Sequence, residues 1–116
     1  MKILADLLTP QRLEQILSRI QQEGDIIEAS ENDPKQKRKF WWTQICEHIL
    51  KEEYQNNKGG TFKKIMGQTH LFTTGELRYI FETSYRWRKN PPALLWKLIR
   101  EKNKELKKTK LSPQNA

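Results

Sequence analysis

Apolar residues recur every three or four positions through most of the chain, which is the spacing of an α-helix with one buried face. No stretch shows the alternation that is typical of a β-strand. Helix-start and helix-stop residues divide the pattern into predicted helices at Thr9 to Glu23, Pro34 to Gln55, Thr61 to Met66, Thr73 to Lys89, and from Pro91 onward. We therefore predict an all-α fold, a single-domain bundle of four to five helices with short connections.

The stretch from Leu71 to Lys89 carries the most complete helix start. Thr73 is a good N-cap residue, and Glu76 stands three positions later, where its carboxylate can reach back and complete a capping box. Phe72 and Leu77 flank the cap and are placed to form a hydrophobic staple. These signals predict that the helix begins at Thr73.

The two faces of this helix differ in chemistry. The stripe predicted to face the core comprises Leu77, Ile80, Phe81, Ser84 and Trp87. The opposite face mixes cations with aromatic rings and comprises Arg78, Tyr79, Glu82, Tyr85, Arg86 and Lys89. Such a face is either solvated or, in the sharper interpretation, a contact in which guanidinium groups bind phosphates and tyrosines stack on bases.

Glycine and proline set the predicted bounds of the other helices. Gly24 is expected to end the first helix in a left-handed conformation, and Ile26 after it to pack inward. Asp33 followed by Pro34 is a strong helix start. The pair Gly59-Gly60 is expected to break the chain into a flexible or sharply turned connection.

The helix from Pro34 to Gln55 has a broad apolar stripe. The stripe comprises Trp41, Trp42, Ile45, Cys46, Ile49 and Leu50, and its width indicates packing against two neighbours. Cys46 lies within it and is therefore interpreted as a core residue and not as a nucleophile.

The length of 116 residues suits one domain, which we place at residues 1–110. Residues 2–8 are expected to form a short helical turn. The last helix is expected to end near Thr109, because the tail after it has nothing left to bury. Residues 111–116 are therefore predicted to be a disordered tail that continues a basic segment.

The net charge of +8 is unevenly distributed. Residues 1–60 hold nine Lys and Arg against ten Asp and Glu, a balance of −1, while residues 61–116 hold thirteen against four, a balance of +9. A basic half favours a polyanionic partner, with nucleic acid in first place. The candidate nucleic-acid-binding residues are Arg78, Arg86, Lys89, Lys97, Arg100, Lys104, Tyr79 and Tyr85.

The sequence offers no constellation for catalysis or metal binding. Gly59-Gly60-Thr61 lacks the strand and the Lys-Ser/Thr ending of a P-loop, and Cys46, His48 and His70 are too few for a zinc site. We therefore expect no enzyme activity, no catalytic residue, no metal, no cofactor and no small-molecule substrate. No apolar run approaches the ~20 residues of a membrane span, and a single cysteine suits a reducing compartment. A cytoplasmic protein without membrane contact is expected.

The run Leu71-Phe72-Thr73-Thr74-Gly75-Glu76-Leu77-Arg78 resembles the Leu-Thr-Thr-Ser-x-Leu-Arg helix start of the small helical subunits in type III CRISPR effector complexes. The resemblance covers about eight residues of the chain. It implies a non-enzymatic subunit that contacts a nucleic-acid backbone without reading sequence, within a ribonucleoprotein complex that contains other protein subunits. By position, it nominates Arg78 as a backbone contact.

Three interpretations of function compete at this point. The first is a largely sequence-independent module that binds RNA or single-stranded DNA, as one subunit of a ribonucleoprotein complex. The second is a helix-turn-helix regulator of DNA, with Thr61 to Met66 as the first helix and Thr73 to Lys89 as the recognition helix. The six-residue connection between them exceeds the usual 3–4-residue turn. The third is an adaptor whose basic surface meets an acidic protein.

Overall fold

In the computed structural model, the described part of the chain covers residues 10–31 and 33–115, with side chains to residue 107, and each regular element in it is a helix. The helices are α1 (Pro10–Ala29), α2 (Pro34–His48), α3 (Lys51–Asn56), α4 (Lys58–Gln68), α5 (Thr74–Arg86) and α6 (Pro91–Asn115). The all-α prediction is confirmed, although the described residues form six helices where four to five were predicted. The helical turn predicted for residues 2–8 lies outside the described residues.

Helix α2 is the centre of the packing. It contacts α1 on one side and α4 and α5 on the others, which confirms that the broad stripe serves more than one neighbour. The predicted start is also confirmed, because the Asp33 carboxylate accepts a hydrogen bond from the Gln36 amide at 2.9 Å and Pro34 occupies the first turn. Trp41 and Ile45 are buried at the middle of this helix.

The predicted helix from Pro34 to Gln55 is divided in two. Helix α2 ends at His48, and the Ile45 carbonyl accepts hydrogen bonds from the amides of both Ile49 and Leu50 at 2.9 and 3.0 Å. Ile49 and Leu50 both stay buried at this break, and α3 begins at Lys51. Packing in the core thus accompanies a break in the helix, although the apolar pattern continues through this point in the sequence.

The predicted end of the first helix at Gly24 is wrong. Helix α1 runs through Gly24 to Ala29, and this glycine does not have a positive φ angle. It is buried against the indole of Trp41, so its small size serves close helix packing and not a left-handed cap. Ile26, expected to pack inward, is 71% exposed.

The pair Gly59-Gly60 does not form a flexible break. Both glycines lie in the first turn of α4, which begins at Lys58 and runs to Gln68. The chain reverses one residue earlier, at Asn57, whose side-chain oxygen accepts a hydrogen bond from the Gly60 amide at 3.0 Å. An asparagine cap therefore starts a longer helix than the predicted segment from Thr61 to Met66.

Helix α5 begins as predicted and ends earlier than predicted. Thr73 Oγ1 accepts from the Glu76 amide at 3.1 Å and Glu76 Oε1 accepts from the Thr73 amide at 2.9 Å, which confirms the capping box. The helix ends at Arg86, and Trp87, predicted to be a core residue, is 42% exposed. Tyr85 takes its place in the core. The helix packs between α2 and α6.

Helix α6 crosses the bundle beside α5. The Asn90 side chain accepts a hydrogen bond from the Ala93 amide at 3.3 Å, and Leu95 and Ile99 are buried against α5 and its neighbours. The helix continues to Asn115, through most of the segment predicted to be a disordered tail. None of the six helices combines the length and the apolar character needed to cross a membrane.

Candidate nucleic-acid interface

The structure separates the eight residues predicted to bind nucleic acid. Six of them are exposed on α5, on the following turn and on α6, namely Tyr79, Arg86, Lys89, Lys97, Arg100 and Lys104. Arg78 is half-buried and Tyr85 is buried. The prediction that all of the α5 members share one exposed face is therefore wrong for these two.

Arg78 is engaged inside the protein. Its Nη1 lies 2.7 Å from Asp25 Oδ1 of α1, and its Nε lies 3.1 Å from Glu82 Oε2 one turn later on α5. The guanidinium also lies over the Trp41 ring at 5.5 Å. The hydrogen bond to Asp25, together with the one to Glu82, raises the pKa of Arg78 against the opposing effect of partial burial. Two carboxylates thus already neutralise the cation that the family resemblance nominates.

Tyr85 belongs to the core. It is 3% exposed and stacks on Phe81 with ring centroids 5.6 Å apart. Its ring centroid also lies 6.2 Å from that of His48, in an edge-to-face arrangement. Burial raises the pKa of Tyr85; the charge of Arg88 acts to lower it, and the charge of Glu14 acts to raise it further. A ring enclosed in this way cannot stack on a base. The physical reason is that Tyr85 follows Phe81 by four positions, which places both on the inner face of α5.

The predicted basic face across α5 and α6 is interrupted by carboxylates. A groove of about 550 Å³ separates these helices, and among its lining residues are Glu76, Tyr79, Glu101, Lys102 and Glu105. Lys102 Nζ lies 2.6 Å from Glu76 and 3.6 Å from Glu105, so the groove's single cation is paired. A polyanion would be repelled here. Tyr79 is exposed, yet it borders this acidic groove.

A second groove, between α4 and α6, has the opposite character. It measures about 590 Å³ and is lined by Gly67, Gln68, His70, Leu71, Arg100, Asn103, Lys104, Leu106 and Lys107. None of these lining residues is acidic. Asn103 Nδ2 donates to the Gln68 carbonyl at 2.9 Å, which fixes α6 against the last turn of α4. Three cations of α6 therefore meet at one groove.

The cations extend beyond the groove along α6. Lys97, Arg100 and Lys104 recur at helical spacing on the exposed side, and Lys64 of α4 reaches across so that its Nζ lies 4.7 Å from the Trp96 ring centroid. We call Lys64, Lys97, Arg100, Lys104 and Lys107 the α6 basic surface. Within the described residues, none of these five cations forms an ion pair.

Sequence reasoning missed part of this surface. Lys107 shares the helical spacing of Lys104 and Arg100, and the sequence pattern already places it on the basic side of the last helix, although it was not among the eight predicted binding residues. Lys64 was missed, because it stands on another helix, 33 positions before Lys97 in the chain. Its place beside Trp96 follows from the packing of α4 against α6, which no local pattern reports.

The turn between α5 and α6 carries a second basic feature, the basic corner of Arg86, Trp87, Arg88 and Lys89. Arg88 Nη1 donates to the Tyr85 carbonyl at 2.7 Å, and its guanidinium lies over the Tyr85 ring at 5.1 Å. Arg86 and Lys89 are exposed and form no ion pair in the described part of the chain. Arg88 thus fixes the corner, while Arg86 and Lys89 present their charges to solvent.

Of the remaining reactive side chains, Cys46 is buried, His48 is half-buried and His70 is exposed. Cys46 is fully buried, and burial, with Glu47 and Glu53 adding to it, raises the pKa of its thiol to about 11. Burial also lowers the pKa of His48. Within the described residues, no three His, Cys, Asp or Glu side chains come close enough together to hold a metal ion.

No protein-family model, curated protein or solved structure matches this chain. The positions that carry the resemblance to type III CRISPR small subunits each have a structural role here. Thr73 caps α5, Thr74 donates to Glu28 at 3.3 Å, Leu77 is buried and Arg78 is ion-paired. Capping and packing alone therefore suffice to explain these four residues.

Proposed function

We propose that this protein binds the backbone of nucleic acid through the α6 basic surface, without catalysis and largely without reading sequence. The observation that carries the proposal is the gathering of five cations from two helices on one surface where no carboxylate pairs with them. Lysine and arginine side chains presented in this way bind phosphates and release the condensed counterions of the polymer. Phosphate contacts of this kind fix position and carry no sequence information.

The carbonyl end of α4 explains a part of the positive charge on the α6 basic surface. The carbonyl end of α4 opens onto the groove, and cations near the last turn of a helix stabilise it by about 0.3–1 kcal/mol each. This interaction with the end of α4 favours a cation at position 100 and another at position 104, where Arg100 and Lys104 stand. It gives no reason for Lys97 further along α6, and the repulsion between five neighbouring cations opposes such a gathering in the absence of an anion.

The helix-turn-helix alternative has less support. Helix α5 would be its recognition helix, but α5 packs between α2 and α6, and Glu76 in its first turn is held by the capping box and by Lys102. Five residues, 69–73, separate α4 from α5. A recognition helix needs a free amino-terminal face with donors that reach base edges.

Membership of a ribonucleoprotein complex is the second part of the proposal. The short resemblance of residues 71–78 supports it, and so do exposed apolar side chains away from the α6 basic surface. Ile26 is 71% exposed on α1 and Tyr79 is 61% exposed on α5. Aromatic side chains such as Tyr79 are enriched where protein subunits meet.

A salt titration of binding tests the proposed surface. We would measure affinity for single-stranded RNA, single-stranded DNA and duplex DNA with the wild type, the Arg100→Glu/Lys104→Glu variant and a control, Lys35→Glu/Lys39→Glu. The control makes the same change of charge at exposed positions in the first turns of α2. The log-log salt slope is expected to flatten by about 0.7 per lost phosphate contact on single strands and about 0.9 on duplex.

The alternatives give different results. If binding is insensitive to salt, or if the control variant weakens it as much as the groove variant does, the proposed surface is wrong. A sequence-specific regulator would lose far more affinity for one preferred site than for random DNA. An adaptor for an acidic protein would bind none of the three nucleic acids tightly at moderate salt.

A further inference from the structure

Trp87 differs from the other three tryptophans because, in the part of the chain that the structure describes, neither an aromatic ring nor a cation lies against its indole. Trp41 and Trp42 are buried and each lies against neighbouring aromatic rings, and Trp96 is covered by the Lys64 ammonium. Trp87 is 42% exposed, and within the described residues its side chain has no hydrogen bond, ring contact or cation over its face. An indole ring in such a position has apolar surface that a ligand can contact.

The backbone explains why this side chain leaves the core. Helix α5 ends one residue earlier, and Trp87 takes an extended conformation with φ −84° and ψ 92°, so its side chain no longer follows the inner stripe. The corner is also well fixed. Arg88 binds the Tyr85 carbonyl on one side, and Pro91 and Pro92 restrict the backbone on the other. A fixed platform loses little conformational freedom when a ligand binds.

The charges around Trp87 indicate the chemistry of that ligand. Arg86 precedes it and Lys89 follows within the same turn, both exposed and free of ion pairs in the described chain. The nearby carboxylates of Glu52 and Glu53 line a groove with Arg88, Pro91 and Pro92, and Trp87 does not line that groove. Trp87 is an apolar ring that stands between two exposed cations in the sequence, and such a group is complementary to a base whose flanking phosphates are negatively charged.

We infer that Trp87 is a stacking platform for one unpaired base, with Arg86 and Lys89 holding the adjacent phosphates, so that the protein binds single strands in preference to duplex. The inference rests on the proposed function and adds to it the form of the nucleic acid and a contact outside the α6 basic surface. In a duplex the bases are stacked on one another and cannot reach the ring, whereas an unpaired base can leave its neighbours and stack on it.

The test removes the Trp87 ring from the protein and, in a separate arm, the bases from the nucleic acid. Trp87→Ala removes the platform, and Trp87→Phe keeps an aromatic face of smaller area. Both variants, and the wild type, would be titrated with an oligouridine strand of about twelve nucleotides, within the range of single-strand binding sites. A strand of equal length with abasic sites keeps the phosphates without the bases, and a duplex of the same length completes the set. Urea midpoints of the variants show that the fold is retained.

We expect Trp87→Ala to weaken binding of oligouridine roughly tenfold, in the range for one stacked base, and Trp87→Phe to weaken it less than about threefold. The wild type, Trp87→Ala and Trp87→Phe should bind the abasic strand with about equal affinity. They should also bind the duplex with about equal affinity. The salt slope should be unchanged in Trp87→Ala, because stacking displaces no counterion.

Three results would overturn the inference. If Trp87→Ala binds oligouridine as tightly as the wild type while affinity still falls with salt, the platform is wrong and the proposed function stands. An equal loss on the abasic strand and on oligouridine would assign Trp87 a role unrelated to bases. If the wild type binds no strand in a salt-dependent way, the proposed function fails and the platform fails with it.

Discussion

Gly24 of α1 lies directly against the indole ring of Trp41 in α2, so closely that a Cβ atom on this glycine would overlap Trp41 Cζ2 and stand 2.9 Å from Cη2. Real Cβ atoms do not approach another atom this closely. Trp41 is 2% exposed and its ring also meets Phe40 and Phe81. The crossing of α1 over α2 therefore depends on a hydrogen atom at position 24.

Gly24→Ala should destabilise the protein although alanine is the better helix former. The gain in helix propensity is about 1 kcal/mol. The clash with a rigid, enclosed indole forces α1 away from α2, and overpacking of this kind costs about 1–3 kcal/mol. We expect a net loss of about 1 kcal/mol in the free energy of unfolding, measured by urea denaturation. Gly67→Ala is the matched control, since nothing lies within 4 Å of its Cβ position, and it should be neutral or slightly stabilising.

Thr73→Ala should lower the free energy of unfolding by about 1 kcal/mol, the usual effect of losing an N-cap. The change removes the acceptor of the Glu76 amide, and that amide then lacks a partner in the first turn of α5. Thr73→Ser keeps the hydroxyl and should stay close to the wild type. Equal urea midpoints for Thr73→Ala and the wild type would show that the capping box contributes nothing to the stability of α5.

Glu76 makes the stability of the protein depend on pH in the acid range. Partial burial acts to raise the pKa of Glu76, but hydrogen bonds from Lys102 and Thr73 and the charge of Lys102 outweigh it, so the pKa lies below its ordinary value of 4.5. The unfolded chain thus takes up this proton at higher pH than the folded one. The stabilisation is fully present above pH 4.5 and is lost as the pH falls through the lowered pKa of the folded protein.

The Glu76→Gln variant isolates this charge, because glutamine keeps the reciprocal bond of the capping box and removes the pairing with Lys102. The wild type should be more stable than the variant at neutral pH, and the difference should shrink as the pH falls below 4.5. Thermal midpoints across a pH series give the measurement. A difference that stays constant down to strongly acid pH would contradict the assigned pairing.

Arg78→Gln should lower stability and leave nucleic-acid binding unchanged. The substitution removes the ion pairs to Asp25 and Glu82 and the contact with the Trp41 ring. For a partly exposed network we expect a loss of about 1 kcal/mol. Affinity for single-stranded RNA is the second readout. Arg100→Gln is the matched control, which should weaken binding while lowering stability by no more than the ~0.3–1 kcal/mol of a cation near the end of α4. If Arg78→Gln weakens binding as much as Arg100→Gln does, Arg78 is a backbone contact after all.

The helix starts at Asp33 and Thr73 were fully predictable from the sequence. In both cases the cap and its partner stand three positions apart, so all the interacting atoms belong to one turn of chain. The same holds for the all-α class, because helical periodicity needs only a window of a few turns. The basic character of the second half of the chain follows from the excess of Lys and Arg over Asp and Glu in its sequence.

The tertiary structure decided which side chains of these helices meet. Arg78 is neutralised by Asp25, 53 positions away, and Lys64 joins the α6 basic surface across α4 and α6. The exchange of Tyr85 for Trp87 in the core depends on where α5 ends against its neighbours. Local sequence specifies the start of a helix because capping bonds span one turn, whereas burial and ion pairing are set by partners that only the packing brings within a few ångströms.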